Sequence, residues 1–165
     1  MLPSPGCWVT SRSARLDEAR TILSALGMPR AQQNPNAAYT FLAFDTSTTV
    51  LSISPRQRLD DVVKTIEALP MAGTDCSLPM IWAKQHGIDV DTFCVYTDNE
   101  TWAGSVHPAQ ALRAYRDARG IPAKLVVVGM TSNGFSIADP NDAGMLDVVG
   151  FDTSAPPVIA DFARA

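Results

Sequence analysis

Apolar positions along this chain follow two rhythms, short unbroken runs and stripes at three- and four-residue steps. Leu16, Ala19, Ile22, Leu23 and Leu26 form the first stripe, which stops at Gly27 and Pro29 and predicts an amphipathic helix. After a polar loop through Asn36, the run Ala38 to Phe44 is almost wholly apolar and ends at Asp45, and a weaker β-prone stretch covers Thr48 to Ile53. Together they predict either a hairpin or a strand and a turn. Leu59, Val62, Val63, Ile66 and Leu69 mark the next helix, closed by Pro70, and Asp75 is placed to cap another that carries Leu78, Ile81 and Trp82. Pro79 is tolerable there because it falls in the first turn. Phe93 to Tyr96 reads as a strand, and His107-Pro108 opens a helix with inner face Ala111, Leu112, Tyr115 and Ala118, ended by Gly120. Lys124 to Val128 is a strand, Leu146 to Gly150 is the last, and a short helix through Val158, Ile159 and Phe162 closes the chain.

Strands alternating with helices imply right-handed crossovers and an α/β fold, with a mostly parallel sheet covered on both faces. A length of 165 residues favours one domain over 1–165, and no repeat, low-complexity tract or interdomain linker interrupts it. With 46% apolar and 18% charged residues the chain has ample material for a core. The net charge of −4 and the scattered basic residues argue against a free-standing nucleic-acid binder, which needs clustered Lys and Arg to displace counterions. Cys7, Cys76 and Cys94 are an odd number without CxxC spacing, as expected of a reducing cytoplasm and of neither a disulfide scaffold nor a zinc site. The first six residues lack the basic and apolar regions of a secretory signal, no segment is long and apolar enough to span a membrane, and a cytoplasmic address is expected.

Two short polar crossings carry the candidate chemistry, Gly73-Thr74-Asp75 and Thr97-Asp98-Asn99-Glu100-Thr101. Asp98 stands where a buried strand emerges, the edge at which open α/β sheets bind ligands. A hydroxyl from Thr74 and a carboxylate from Asp98 suit a hard divalent cation, magnesium above all. Each also has an ordinary structural reading, Asp98 as a turn-forming acid and Thr74 as part of a capping sequence. Asn99 and Glu100 read as solvated. Cys76 with His86 or His107 is the one nucleophile-and-base combination, although nothing in the spacing places either imidazole against the thiol, and a lone Cys more often packs in a core. Thr131-Ser132-Asn133-Gly134-Phe135 is a weak anion-binding turn, lacking a glycine fingerprint or a lysine. Trp82 reads as core, and Trp102, beside the second crossing, as the better contact residue.

From about Phe41 to Phe162, five blocks in order resemble the C-terminal von Willebrand factor A-like domain of the Ro autoantigen (TROVE) family. They are Ala72-Gly73-Thr74-Asp75-Cys76-Ser77-Leu78-Pro79-Met80-Ile81-Trp82-Ala83, Tyr96-Thr97-Asp98-Asn99-Glu100-Thr101, Val106-His107-Pro108-Ala109, Ile121-Pro122-Ala123-Lys124-Leu125, and Gly129 to Pro140. The resemblance implies a Rossmann-like von Willebrand factor A fold and a metal-ion-dependent adhesion site, in which a D-x-S-x-S motif, a threonine and an aspartate from three loops hold a divalent cation. Thr74 and Asp98 match the threonine and the aspartate. Ser11 and Ser13 have the spacing of the two serines, with Val9 where the aspartate of the pattern stands. Because only Cys7-Trp8-Val9 precedes them as a β-prone run, the first central strand is expected to be degenerate or missing.

Family members bind small noncoding RNAs through a ring of helical repeats ahead of this domain, and that ring is expected to be absent here. The expected function is that of a non-enzymatic binding module of a Ro-type ribonucleoprotein. A partial cation site at Ser11, Ser13, Thr74 and Asp98, holding Mg2+ weakly or not at all, would engage a protein or ribonucleoprotein partner, with RNA reached only indirectly. The alternative is a truncated or split-gene remnant that needs another chain to complete its sheet and its RNA-binding surface.

Overall fold

The computed structural model describes residues 6–11, 39–53, 57–69, 73–97, 103–129, 137–150 and 154–165, with side chains left out at 6–11, 39, 59 and 156. The predicted helix over Leu16–Leu26, the turn at 131–135, Trp102, Asn99 and Glu100 lie outside these residues.

Six strands, β1 (Gly6–Ser11), β2 (Tyr39–Phe44), β3 (Thr48–Leu51), β4 (Thr92–Thr97), β5 (Lys124–Gly129) and β6 (Met145–Val149), form one sheet among the described residues, in the order β3-β2-β1-β4-β5-β6. All neighbours pair in parallel except β2 and β3, which form the antiparallel hairpin that the two β-prone stretches allowed. Between and after the strands lie α1 (Leu59–Glu67), α2 (Leu78–Gln85), α3 (Pro108–Arg119) and α4 (Ala155–Arg164).

The central strand expected to be degenerate or missing is present. β1 pairs Trp8 with Phe41 on one side and with Cys94 on the other, so both edges of its backbone are hydrogen-bonded. Its sequence looked too short because only Cys7-Trp8-Val9 is β-prone. A strand between two long apolar neighbours takes its conformation from their ladders, and Gly6, Thr10 and Ser11 are drawn into it. Val9 lies level with Leu42 and Val95, both buried in the core, two residues short of the strand's end.

Alternate residues of the inner strands serve opposite faces. Leu42, Phe44, Phe93, Val95, Leu125 and Val127 pack beneath α2 and α3, against Met80, Ala83, Leu112 and Tyr115. On the other face, Ala43 and Leu51 meet Val62, Val63 and Ile66 of α1, while Cys94, Tyr96, Val126 and Val128 meet Ile159 of α4.

Helix boundaries follow local signals. His107 caps α3, accepting through Nδ1 from the Ala109 amide at 3.3 Å, while its own amide donates to Gln110 Oε1 at 3.4 Å. Gly120 ends the helix at φ +66°, a left-handed turn that favours glycine. Three inner faces differ from their stripes. In α2 the deepest residues are Pro79, Met80 and Ala83, with Leu78, Ile81 and Trp82 half-buried at the core's margin, because this helix packs against α3 as well as the sheet. Ala118 of α3 and Val158 of α4 are exposed.

Candidate functional site

Because β1, β2, β4, β5 and β6 run in parallel, their C-terminal ends share one edge of the sheet. Ser11 ends β1 opposite Phe44, the last residue of β2, and Asp45 follows at once. Thr97 ends β4 opposite Gly129. Asp98, next in sequence, and Ser13 lie outside the described residues. Of the four candidate ligands, then, Ser11 and Thr74 are described, and both stand at this edge.

Thr74 reaches the edge through its neighbours' backbone bonds. The Asp75 amide donates to the Asp45 carbonyl at 2.9 Å, pinning the turn over the end of β2, and the Ala103 amide donates to the Thr74 carbonyl at 3.1 Å from the segment beyond β4. Asp45, Thr74, Asp75, Ser77 and Thr97 are all buried, a run of polar side chains that a sheet edge in plain contact with water would not produce.

Two Asp-x-Ser turns stand side by side here. Asp45 Oδ1 accepts from the Ser47 amide at 2.7 Å and its hydroxyl at 3.0 Å, and Asp75 Oδ1 accepts from the Ser77 amide at 2.9 Å and its hydroxyl at 2.6 Å. Asp75 was expected to cap α2, but the N-cap is Ser77, no side chain caps the helix, and Asp75 closes a local turn on Ser77 instead. Asp45 was missed as a site residue. It carries the same signal as Asp98, an acid directly after an apolar strand, and the sequence offered no way to see that its carbonyl receives the Thr74 turn. Gly104 was missed as well, and its place beside Asp75 depends on contacts between distant segments.

The thiol reading finds no support in the geometry. Cys76 is buried with Sγ 3.8 Å from Thr97 Oγ1, whereas His86 Nδ1 lies 2.9 Å from the Trp82 carbonyl and stacks on the Trp82 ring at 4.6 Å. His107 is engaged as the cap of α3.

Hydroxyls such as those of Ser11 and Thr74 are the hard oxygen donors that a divalent cation of the magnesium type accepts, in a shell otherwise filled by water. Val9 adds no oxygen, and among the described residues no three His, Cys, Asp or Glu side chains gather as a metal cluster. The donor chemistry fits a hydrated hard ion held by few protein oxygens, and does not fit a soft metal that needs thiolate or imidazole.

The family described as the Ro60 vWA domain matches residues 8–163. This chain belongs to that family. It is 54% identical over 114 residues to RNA-binding protein RO60 of Deinococcus radiodurans, an alignment covering 69% of this chain and 22% of that protein. With RNA-binding protein RO60 of Caenorhabditis elegans it shares 40% identity over 140 residues, 84% of this chain and again 22% of the relative. The chain thus spans about a fifth of the length of these curated relatives.

Among solved structures, the Ro (RSR) protein of Deinococcus radiodurans superposes with a TM-score of 0.85 at 37% identity, over 99% of this chain and 34% of that one. Proximal thread matrix protein 1 of the mussel byssus, solved with its MIDAS motif occupied by zinc, aligns with a TM-score of 0.62 at 11% identity, over 98% of this chain and 48% of that one. That likeness concerns the fold alone. The Ro60 vWA domain thus has the expected Rossmann-like sheet, with helices on both faces.

Proposed function

We propose that this Ro60 vWA domain is a non-enzymatic binding module of a Ro-type small-RNA ribonucleoprotein, docking a protein or ribonucleoprotein partner through the C-terminal edge of its sheet. A weakened divalent-cation site there, formed by Ser11, Ser13, Thr74 and Asp98, supplies the contact, with Mg2+ as the ion. The observation that carries this reading is the seating of the Thr74 turn on the ends of β2 and the post-β4 segment, at the same edge as Ser11. A cation held by few protein oxygens keeps positions that a partner's carboxylate can fill. With Val9 in place of an acid, the site has one carboxylate fewer to offset the ion's charge, so its affinity is low.

RNA is engaged indirectly, through other parts of the assembly, because a chain of net charge −4 offers phosphates little attraction. The competing reading, a truncated or split-gene remnant that needs another chain to complete its sheet and its RNA-binding surface, is less favoured in its first part by β1 at the central position. Calorimetric titration of MgCl2 or MnCl2 into the wild type and Asp98→Ala tests the cation. Binding heat in the wild type that Asp98→Ala abolishes is expected; equal, negligible heats in two folded proteins would remove the metal from the account.

A further inference from the structure

A tight approach stands beside the Thr74 turn, between Gly104 and Asp75. Gly104 has φ +91°, in the left-handed region, and a Cβ built on it would fall 2.5 Å from Asp75 Cγ and 2.7 Å from Asp75 Oδ1. Glycine is required there twice over, by the backbone angle and by the carboxylate that fills the space of a side chain. The carboxylate cannot swing clear without losing its bonds, since Oδ1 is held by both the amide and the hydroxyl of Ser77. One residue earlier on each segment, the Ala103 amide is bonded to the Thr74 carbonyl. Gly73 completes the fit: a Cβ there would lie 3.3 Å from Ala103 Cβ and 3.5 Å from Thr46 Cγ2.

We infer that Asp75 and Gly104 are positioning residues, whose contact clasps the segment after β4 onto the Thr74 turn and sets where Thr74 stands at the sheet edge. The consequence for metal binding rests on the cation reading above; the clasp itself does not. Two points of attachment, 103 to 74 and 104 to 75, resist rotation as well as separation, which a single hydrogen bond would not. The segments therefore open together or not at all, and any ligand that needs Thr74 in place depends on Gly104 without touching it.

A double-mutant cycle on the full chain tests the contact, with Asp75→Ala, Gly104→Ala and the double variant followed by thermal melting and amide hydrogen exchange. Gly104→Ala is expected to lower the melting temperature and to speed exchange about tenfold in both 73–77 and 103–107, leaving β5 unchanged. In the Asp75→Ala background the same substitution is expected to cost less, the part that remains being the strain of the backbone angle. Additive shifts, or faster exchange confined to 103–107, would overturn the clasp. Should Gly104→Ala fail to fold, a folded double variant supports the contact, and faster exchange in Asp75→Ala alone that is confined to 73–77 overturns it.

A second arm adds MgCl2. A melting shift seen in the wild type and lost in Gly104→Ala supports the positioning of Thr74, and a shift retained in full overturns it. If the wild type shows no shift, the cation reading fails, while the cycle and the exchange still decide the clasp.

Discussion

The hydroxyl of Tyr115, on α3, accepts a hydrogen bond from the Val90 amide at 2.7 Å, and it donates in turn to the Ile88 carbonyl at 2.8 Å. One side chain thereby satisfies two backbone groups of the segment that leads into β4, while its ring meets Phe93 edge-on at 5.0 Å. Tyr115→Phe keeps the ring and orphans both backbone groups. A buried polar group left without a partner costs about 1–3 kcal/mol. Chemical denaturation is expected to show a loss in that range, and a variant as stable as the wild type would mean that water replaces the hydroxyl.

The pair Arg116–Asp142 predicts how the fold responds to acid. Arg116 Nη1 donates to Asp142 Oδ2 at 2.5 Å, and its Nε donates to the Ala123 carbonyl at 2.7 Å, joining α3 to the segments before β5 and β6. The arginine's hydrogen bond, with that from the Gly144 amide, holds the Asp142 carboxyl below its ordinary value of 3.8. A depressed folded value means stability that is present above the unfolded value and lost as pH falls through the folded one. Asp142→Asn is therefore expected to melt a few degrees below the wild type at pH 7, with the gap closing as the pH falls below the ordinary 3.8 and through the lowered folded value. Melting curves across that range check it.

Asp91 has the opposite sign. Its Oδ2 is buried without a hydrogen-bond partner among the described residues, and burial, then the nearby charge of Asp89, raises its carboxyl above the ordinary 3.8. A raised carboxyl binds its proton more tightly in the folded state, so stability falls as pH rises from the unfolded value through the folded one, and the penalty persists at neutrality. Asp91→Asn is expected to raise the melting temperature at pH 7 and to make no difference at pH 3. A variant less stable at pH 7 would show that the charge is compensated.

At the candidate site, Thr74→Ser and Thr74→Ala separate hydroxyl chemistry from packing. Both leave a cavity where the buried methyl was, so both are expected to melt below the wild type. Only Thr74→Ser retains an oxygen for a cation. Melting with MgCl2 and then with excess EDTA is expected to show a metal-dependent shift in Thr74→Ser and none in Thr74→Ala. Equal shifts in both would exclude the hydroxyl as a ligand.

Periodicity and caps made most of the architecture legible. The stripe through Leu59 and Ile66, the His107-Pro108 start and Gly120 end of α3, and the unbroken run Leu125 to Val128 each turn on residues within a few positions of one another. Such local steric and hydrogen-bonding preferences are written in the sequence directly. The candidate edge was legible for the same reason, since an acid after an apolar strand marks where a parallel strand stops.

Three features were decided by parts of the chain far apart. β1 is a strand because β2 and β4 bond it from both sides, Met80 rather than Trp82 lies deepest in α2 because α3 shares that interface, and Asp75 has its place because Gly104 leaves room for it. The sequence by itself determined an alternating α/β chain and placed the Thr74 turn among its crossings. Only the tertiary structure decided that the centre of the sheet is filled and that Gly104 closes on the Thr74 turn, because ladder pairing and close packing depend on which distant segments the fold brings within contact.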